Sequence, residues 1–215
     1  MSRSRVRKRV CKRVCKREIK YKYECWIECG IEGWYMRLFI AINFDNETRS
    51  RLLDLRDELR GKSERGNFSA PENLHLTLVF LGECNEKQSA AAKAAMEAIS
   101  FEPLPVYIDR IGRFRRDGGD IWWAGLQDNV SLTKLQQDLT DKLSLTSFAL
   151  ERRKFSPHIS LGREIVTTAK PWEVEPFGET VGAIDLMKSE RINGKLTYTS
   201  IFRRGDAGGD AVKAG

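Results

Sequence analysis

Residues 75–78 read His-Leu-Thr-Leu, and residues 158–161 repeat the pattern as His-Ile-Ser-Leu. These two tetrads contain the only two histidines of the 215-residue sequence. In each tetrad the histidine and a hydroxyl residue are two positions apart, and aliphatic residues fill the alternate positions, which is the period of a β-strand. The pattern therefore predicts two strands that each present an imidazole and a hydroxyl on one face and bury aliphatic side chains on the other.

The segments around the first tetrad alternate between strand and helix patterns. The run MRLFIAINF is apolar, with β-branched and aromatic residues, which favours a buried strand. A leucine stripe and an alanine-rich stretch predict two helices. In chain order we predict a strand over 36–44, a helix from Asn46 or Thr48 to about Lys62, a polar break over 61–67, the tetrad strand 74–82 and a helix over 85–99.

The second half repeats this order. We predict strands over 103–114 and 120–126, a leucine-striped helix over 131–147, the second tetrad strand after Phe155-Ser156-Pro157, and strands over 181–188 and 196–203 split by a turn at Asn193-Gly194. Each half delivers one tetrad. The predicted fold is therefore α+β, with two pseudo-symmetric lobes around a central cleft, each an antiparallel sheet with helices on the outside. We assign this domain to residues 36–204 and expect a disordered tail over 205–215.

The positive charge of the chain is confined to its first 35 residues. The whole sequence carries a formal net charge of +7, and the same net charge results from the 11 Lys or Arg and 4 Glu of residues 1–35. The rest of the chain is neutral overall, so we expect phosphate recognition to depend on a few placed groups rather than on bulk charge. No run of 18 apolar residues is present, and we predict no membrane span.

Four of the five cysteines also lie in this leader, at Cys11, Cys15, Cys25 and Cys29. Their spacing is within reach of a zinc-ligand pattern, but nothing in the leader imposes the tight turns that such sites usually show. A solvated basic tail, or a segment translated from an upstream start codon, is therefore favoured over a zinc site. The leader is expected to be disordered or not native, with Met36 as an alternative start. Only Cys84 remains in the domain, which suits a reducing cytoplasm.

Two imidazoles near neutral pH can serve as a matched base and acid, since the unperturbed pKa of histidine, about 6.5, allows either role. The hydroxyls two residues further on can donate hydrogen bonds to one anion between the strands. Two histidines supply too few ligands for a metal by themselves. Ser160 lies on no nucleophile elbow, and no glycine-rich phosphate loop indicates ATP use. In-line phosphoryl chemistry without a cofactor is therefore the favoured reaction class.

With these features the sequence resembles the 2H phosphoesterase superfamily, and most of all its RNA 2′,3′-cyclic phosphodiesterases, formerly called 2′-5′ RNA ligases. The resemblance covers about residues 36–203. It is carried by the two tetrads, the opening MRLFIAINF, the Phe155-Ser-Pro-His approach and Arg163. One departure is Ser160, where the family more often has threonine; the hydroxyl is kept, but the lost methyl group loosens the side chain.

The resemblance implies hydrolysis of a terminal 2′,3′-cyclic phosphate of RNA to a 2′-phosphomonoester without a metal. It implies that His75 is the proton donor and His158 the proton acceptor, with Thr77 and Ser160 holding the phosphate. Arg163 is a weaker candidate for the phosphate, because strict alternation from His158 places it on the other strand face, where a structural salt bridge accounts for it as well. Phe44, Phe155 and Trp122 or Trp123 are candidates for stacking on a base, although core packing explains each of them too.

Three functions stay open at this point. The first is the cyclic phosphodiesterase, a cytoplasmic monomer acting on RNA ends, tRNA fragments or small cyclic nucleotides. The second is an RNA-end binding module without turnover, aided by the basic leader. The third is ATP-independent 2′-5′ ligation of tRNA halves as a side activity.

Overall fold

The computed structural model describes residues 35–146, 148–150 and 153–205. The chain divides into two compact units, residues 1–35 and 36–215, and nearly all described residues belong to the second. The predictions for the basic leader, its four cysteines and residues 206–215 of the tail lie outside the described residues. Gly205, which was predicted to begin the tail, is the last residue of a strand.

The described residues form nine strands and three α-helices. The strands are β1 (Met36–Asn43), β2 (Ser63–Phe68), β3 (His75–Cys84), β4 (Leu104–Phe114), β5 (Asp120–Leu126), β6 (His158–Thr167), β7 (Trp172–Val181), β8 (Ala183–Ile192) and β9 (Lys195–Gly205). The helices are α1 (Asn46–Gly61), α2 (Glu86–Glu97) and α3 (Val130–Ser144), and a short 3-10 turn covers Pro71–Asn73. Among the described residues, no helix has the length and apolar content that crossing a membrane requires.

The strands pair in the order β7-β4-β5-β6-β3-β1-β8-β9, with β2 added to β6, and every pairing is antiparallel. Each tetrad strand follows a strand and a helix in sequence and lies beside that strand in the sheet, as β3 does beside β1 and β6 beside β5. This repeated unit confirms the predicted α+β class with two pseudo-symmetric halves. The two halves do not form separate sheets, however, because β3 and β6 pair at Leu76 and Ile159 and join them into one.

The hydrophobic core lies on one face of this sheet, where all three helices pack. Leu76 and Ile159 are fully buried there, together with the leucine stripe of α3. A smaller apolar cluster of Phe39, Ala41 and Met187 lies apart from this core, on the other set of alternating positions. Because side chains alternate along each strand, the residues beside Leu76 and Ile159 face away from the helices. The core thus fixes which side of the sheet carries the histidines.

The glycine turn between β8 and β9 is confirmed. Asn193 and Gly194 both have positive φ, at 50° and 79°. This conformation matches the turn that joins two strands with a two-residue loop, and asparagine followed by glycine tolerates it best.

Two strands and one cap differ from the prediction. The polar segment predicted as a break contains β2, an edge strand that pairs only with β6 and so needs no apolar face. β7 was not predicted, because Pro176 and Gly178 interrupt its pattern. The N-cap of α1 is Asp45 rather than Asn46 or Thr48, since its carboxylate accepts the Thr48 amide at 2.7 Å.

Gly178→Ala is expected to destabilise the protein by about 1–3 kcal/mol, because it overpacks the pairing of β4 with β7. An added Cβ would lie 1.8 Å from the backbone carbonyl oxygen of Val106, which cannot move without breaking that pairing. Gly61→Ala is the matched control, since nothing lies within 4 Å of an added Cβ and the residue is helical. It is expected to be neutral or stabilising by up to about 1 kcal/mol. Urea unfolding of both variants measures this, and equal midpoints would contradict the close approach.

Candidate active site

The pairing of Leu76 with Ile159 brings the two tetrads together. In an antiparallel pair of strands, the residue after one member of a pair lies opposite the residue before the other member. The pair Leu76 and Ile159 therefore implies one further pair on each side. They are His75 across from Ser160 and Thr77 across from His158. All four side chains lie on the face away from the helices, and opposed residues of this kind have Cβ atoms about 5 Å apart. The predicted convergence of imidazoles and hydroxyls therefore follows from one register.

Aromatic rings surround His75. Its ring centroid lies 4.9 Å from that of Phe39 and 5.1 Å from that of Tyr198, the latter edge-on. The pKa of His75 is lowered to about 4, mainly by burial among these rings and to a smaller extent by the charges of Arg163 and His158. The backbone of Asn73 opposes this effect. In the unliganded protein His75 is therefore neutral at pH 7.

The two nitrogens of His75 have different surroundings. Nε2 lies 3.1 Å from the Thr77 hydroxyl oxygen, so the tips of these side chains converge although their Cα atoms are two residues apart on the strand. Nδ1 is buried and forms no hydrogen bond of good geometry with any described residue, although the Asn73 backbone lies near enough to act on the pKa. His75 and Thr77 thus act as one polar unit in an otherwise aromatic setting.

His158 has a defined tautomer. Its Nδ1 lies 2.8 Å from the carbonyl oxygen of Ser156, and because a carbonyl can only accept, Nδ1 carries the proton. Nε2 of the neutral ring is then an unprotonated acceptor. Burial lowers the pKa of His158, the Ser156 carbonyl opposes this, and Arg163 adds to the lowering. The ring contacts Phe114 edge-on at 5.1 Å and lies 6.3 Å from Trp123.

A bulge in β6 turns Arg163 to the histidine side. Relative to β5, β6 gains one residue between Ser160 and Gly162, and a bulge of this kind interrupts the alternation of side chains. Leu161 lies in the core and Gly162 is also buried, so Arg163 returns to the face of His158. The sequence prediction that alternation places Arg163 on the opposite face is therefore wrong.

The Arg163 side chain is exposed, and its guanidinium makes no hydrogen bond or ion pair with any described residue. The bulge places it on the face of the sheet that carries the histidines, and its charge lowers the pKa of both. The structural salt bridge considered from sequence is absent from the described part of the chain. An unpaired guanidinium beside two neutral imidazoles and two hydroxyls provides a site for an anion.

The loop before β3 holds β6 in place. The Ser69 hydroxyl donates to the backbone carbonyl of Ser160 at 2.7 Å, and the Ser69 amide donates to the Leu161 carbonyl at 2.9 Å. The Ser160 hydroxyl itself forms no hydrogen bond with another described residue. It is therefore free to bind a ligand.

A polar group beside His75 was not predicted from sequence. Asn43 pairs with His75 across β1 and β3, and its amide donates at 2.9 Å to the carboxylate of Asp185, which is almost fully buried. Ser200 also donates to that carboxylate, at 2.6 Å. The only signal in the sequence was one asparagine at the end of an apolar run, which reads as a strand terminus.

The candidates for base stacking differ in how far their rings are buried. Phe44 is 3% exposed and packs in the core, so it offers no ring face to a base, and this prediction is wrong. Trp122 is likewise fully buried. Phe155 is partly buried and packs against the core. Trp123 is the member of the set that lies beside a histidine, since strand alternation turns it away from Trp122.

One hollow of the described surface is poorly suited to a phosphate. It has a volume of about 430 Å³, lies between α1 and β7, and contains no histidine. Four carboxylates and one guanidinium line it, so its charge is negative overall: Asp54, Glu58, Glu173, Glu175 and Arg51. In the described part of the chain, no three His, Cys, Asp or Glu side chains gather as a set of metal ligands.

Known proteins are similar to this chain in both sequence and fold. Residues 42–123 match the family model described as LigT like Phosphoesterase. An RNA 2′,3′-cyclic phosphodiesterase of Archaeoglobus fulgidus is 30% identical over 151 residues, covering 67% of this chain and 85% of the relative. The protein of the same name from Escherichia coli is 29% identical over 171 residues, covering 78% of this chain and 94% of the relative.

Among solved structures, the crystal structure of E. coli LigT complexed with 3′-AMP superimposes with a TM-score of 0.71 at 25% identity. The superposition covers 80% of this chain and 98% of that chain. The similarity therefore extends over nearly the whole of the solved protein.

Both histidines are expected to titrate below the usual pKa of a histidine. Because the sequence has only two, NMR of the imidazole protons should show one titration near pH 4 for His75 and one below pH 6.5 for His158. Inorganic phosphate is expected to raise both pKa values, since an anion stabilises the imidazolium. His158→Gln assigns the signals.

Arg163→Gln is the complementary variant. Since the guanidinium lowers both pKa values, its removal should raise both, whereas Arg163→Lys should leave them near the parental values. Titration of either histidine at pH 6.5 or above in the unliganded parent would contradict the burial described here.

Proposed function

This chain belongs to the LigT-like phosphoesterase family of RNA 2′,3′-cyclic phosphodiesterases, and we propose that it hydrolyses the 2′,3′-cyclic phosphate at the end of an RNA to a 2′-phosphomonoester. The observation that carries the proposal is the register at Leu76 and Ile159, which sets two imidazoles and two hydroxyls on one face. An exposed guanidinium lies beside them. This set of groups suits an anionic phosphorus centre that needs a proton removed on one side and added on the other.

His158 is the proton acceptor in this proposal. Its Nδ1–H donates to the Ser156 carbonyl, which orients the ring and leaves the lone pair of Nε2 for the attacking water. The ring must be neutral for this role, and the lowered pKa keeps it neutral at pH 7. Activity should therefore fall as the pH falls through that pKa.

His75 is the proton donor in this proposal. Because its pKa is low, it can donate a proton only after substrate binding has raised that pKa. An imidazole with a pKa of about 4 holds almost no extra proton at pH 7 when the site is unliganded. A bound phosphodiester brings a negative charge into the aromatic surroundings, where charge interactions are strong, and raises the pKa. Substrate binding thus couples to proton uptake by His75, so that the acid is charged only when the anion is present.

The reaction balances without another reactant. Water attacks phosphorus as His158 takes one of its protons, and the bond between phosphorus and the ribose 3′ oxygen breaks. His75 delivers a proton to that leaving oxygen, which becomes a hydroxyl, and the phosphate stays on the 2′ oxygen. The proton on His158 then returns to solvent. No step requires a metal ion, so we propose that the reaction is metal-independent.

The hydroxyls of Thr77 and Ser160, together with Arg163, hold the nonbridging oxygens. Thr77 lies 3.1 Å from Nε2 of His75, so a phosphate oxygen that accepts from its hydroxyl sits next to the proton donor. Ser160 has no competing partner among the described residues. Donors placed in advance at developing negative charge are an effective source of rate enhancement.

His75→Ala and His158→Ala are each expected to lower turnover by about a hundredfold to ten-thousandfold, the range for one proton transfer. The substrate is an oligoribonucleotide ending in a 2′,3′-cyclic phosphate, assayed with excess chelator, and the product is identified as the 2′- or 3′-monoester. Parental activity should persist in chelator.

Unfolding midpoints serve as the control for folding in both variants. Near-parental hydrolysis by either variant would contradict the assignment of acid and base. A parent that binds the RNA end with no turnover would favour the binding module instead.

Ser160→Ala is expected to lower turnover by about a hundredfold, since it removes one donor to the phosphate. Ser160→Thr is the matched variant, because it keeps the hydroxyl and adds the methyl group usual in the family. It should match or exceed the parent. Equal losses in the two variants, with the fold intact, would show that side-chain volume rather than the hydroxyl matters at this position.

A further inference from the structure

Tyr198 reaches His75 from the edge strand β9. In the strand order β1 and β8 lie between β9 and β3, so in a flat sheet these two strands would be about 14 Å apart, at about 4.8 Å per strand. The ring centroids of Tyr198 and His75 are nevertheless 5.1 Å apart, and the rings meet at 86°. The sheet therefore curls toward its histidine side between these strands.

A hydrogen bond fixes β9 at this place. The side-chain amide of Asn73 donates to the backbone carbonyl of Leu196 at 3.0 Å, and β9 lies beside the 3-10 turn that contains Asn73. Asn73 precedes His75 by two residues, and Leu196 precedes Tyr198 by two. β9 thus contacts the start of β3 at two successive points, once through a hydrogen bond and once through a pair of rings.

His75 has few other constraints on its orientation. Its Nδ1 forms no hydrogen bond of good geometry with any described residue, and its Nε2 lies 3.1 Å from the Thr77 hydroxyl oxygen. In the proposed reaction Nε2 carries the proton that goes to the leaving oxygen, so this nitrogen cannot donate to Thr77 while the proton moves. The orientation of the imidazole at that moment depends on the rings around it, those of Phe39 and Tyr198.

His158 provides a comparison within the same molecule. Phe114 meets its ring edge-on, with centroids 5.1 Å apart and planes at 89°, which is nearly the geometry of Tyr198 and His75. His158 also has the hydrogen bond from Nδ1 to the Ser156 carbonyl, at 2.8 Å. The proton acceptor is therefore held in two ways, whereas the proton donor relies on its aromatic neighbours.

We propose that Tyr198 is a positioning residue for the proton donor, and that its ring holds His75 in the orientation that delivers the proton. The inference rests on the proposed function and adds a residue to it. Edge-to-face packing of two rings has a preferred geometry, so it restricts the rotation of an imidazole more than an aliphatic contact does. The Tyr198 hydroxyl forms no hydrogen bond with another described residue, so the role belongs to the ring.

Tyr198→Leu should lower kcat by about tenfold to a hundredfold on an oligoribonucleotide ending in a 2′,3′-cyclic phosphate, since misplacing a catalytic group has a cost of this order. KM should change by less than about twofold, because the groups assigned to the phosphate are kept. Tyr198→Phe keeps the ring and should stay within about twofold of the parent in kcat. Tyr107→Leu is the matched control, since Tyr107 is 44% exposed on β4 and lines a second hollow beside the start of α1.

The two imidazoles can be followed separately by NMR, because the sequence has only two histidines. In Tyr198→Leu the signals of His75 should shift and its pKa should rise above about 4, because its burial is reduced, whereas the charges of Arg163 and His158 are kept. The signals of His158 should stay unchanged. Phe114→Leu should give the opposite pattern. A higher pKa alone makes a proton donor easier to charge, so a fall in kcat reports the loss of orientation.

Three results would overturn the proposal. Equal losses of kcat in Tyr198→Leu and Tyr198→Phe would assign the effect to the hydroxyl, and parental kcat in both would remove Tyr198 from the mechanism. Equal movement of the signals of both histidines in Tyr198→Leu would show a general loosening of the fold.

Asn73→Ala tests the same link with the ring in place, and it serves if the unfolding midpoint of Tyr198→Leu is too low for the assay. It should lower kcat and shift the signals of His75 alone, and parental values of both would overturn the proposal. A parent that does not hydrolyse the RNA end would contradict the proposed function instead. The NMR comparison then decides the inference by itself: a shift confined to His75 in Tyr198→Leu supports it, and unchanged His75 signals overturn it.

Discussion

The site depends on the burial of two aliphatic side chains. Leu76 and Ile159 lie opposite each other at the junction of β3 and β6, and both are fully buried against the helices. Since a strand alternates its side chains, burying these two residues forces both histidines and both hydroxyls to the other face. A slip of one residue would send the polar groups into the core, where unpaired polar groups are costly. The hydrophobic effect thus positions the polar site.

The surroundings of the two imidazoles differ in a way that suits opposite roles. His158 has its Nδ1 proton committed to a backbone carbonyl, so its tautomer is fixed before any ligand arrives. Nδ1 of His75 has no hydrogen bond among the described residues, and aromatic rings surround its ring. In the proposed mechanism the first ring accepts a proton, and the second gains its proton only when an anion is bound beside it. The fold is nearly symmetric here, and the hydrogen bonds break the symmetry.

The sequence was sufficient to predict the parts of the fold that depend on periodicity. The tetrad strands, the three helices and the Asn193-Gly194 turn follow from side-chain spacing and backbone preference. β2 was missed because an edge strand paired on one side can be polar throughout. The position of Arg163 was wrong for a different reason. A bulge depends on how two strands pair, and that information lies outside any single strand. Phe44 failed as a stacking residue because an apolar residue at a strand end looks the same in sequence whether its ring is buried or exposed.

The junction between the halves, where β3 meets β6, affects how the two imidazoles are held apart. β3 and β6 share one ladder pair, and the pairing of β2 with β6 is a further backbone connection between the halves. The hydrogen bonds of Ser69 extend that connection to Ser160 and Leu161. The distance between the two imidazoles therefore depends on β2, on Ser69 and on core packing beneath the junction, and β2 and the core side chains lie away from the face that carries the histidines. The catalytic rate is therefore more sensitive to core packing than the unfolding midpoint is. A displacement of core side chains too small to unfold the chain already changes the distance between the two imidazoles.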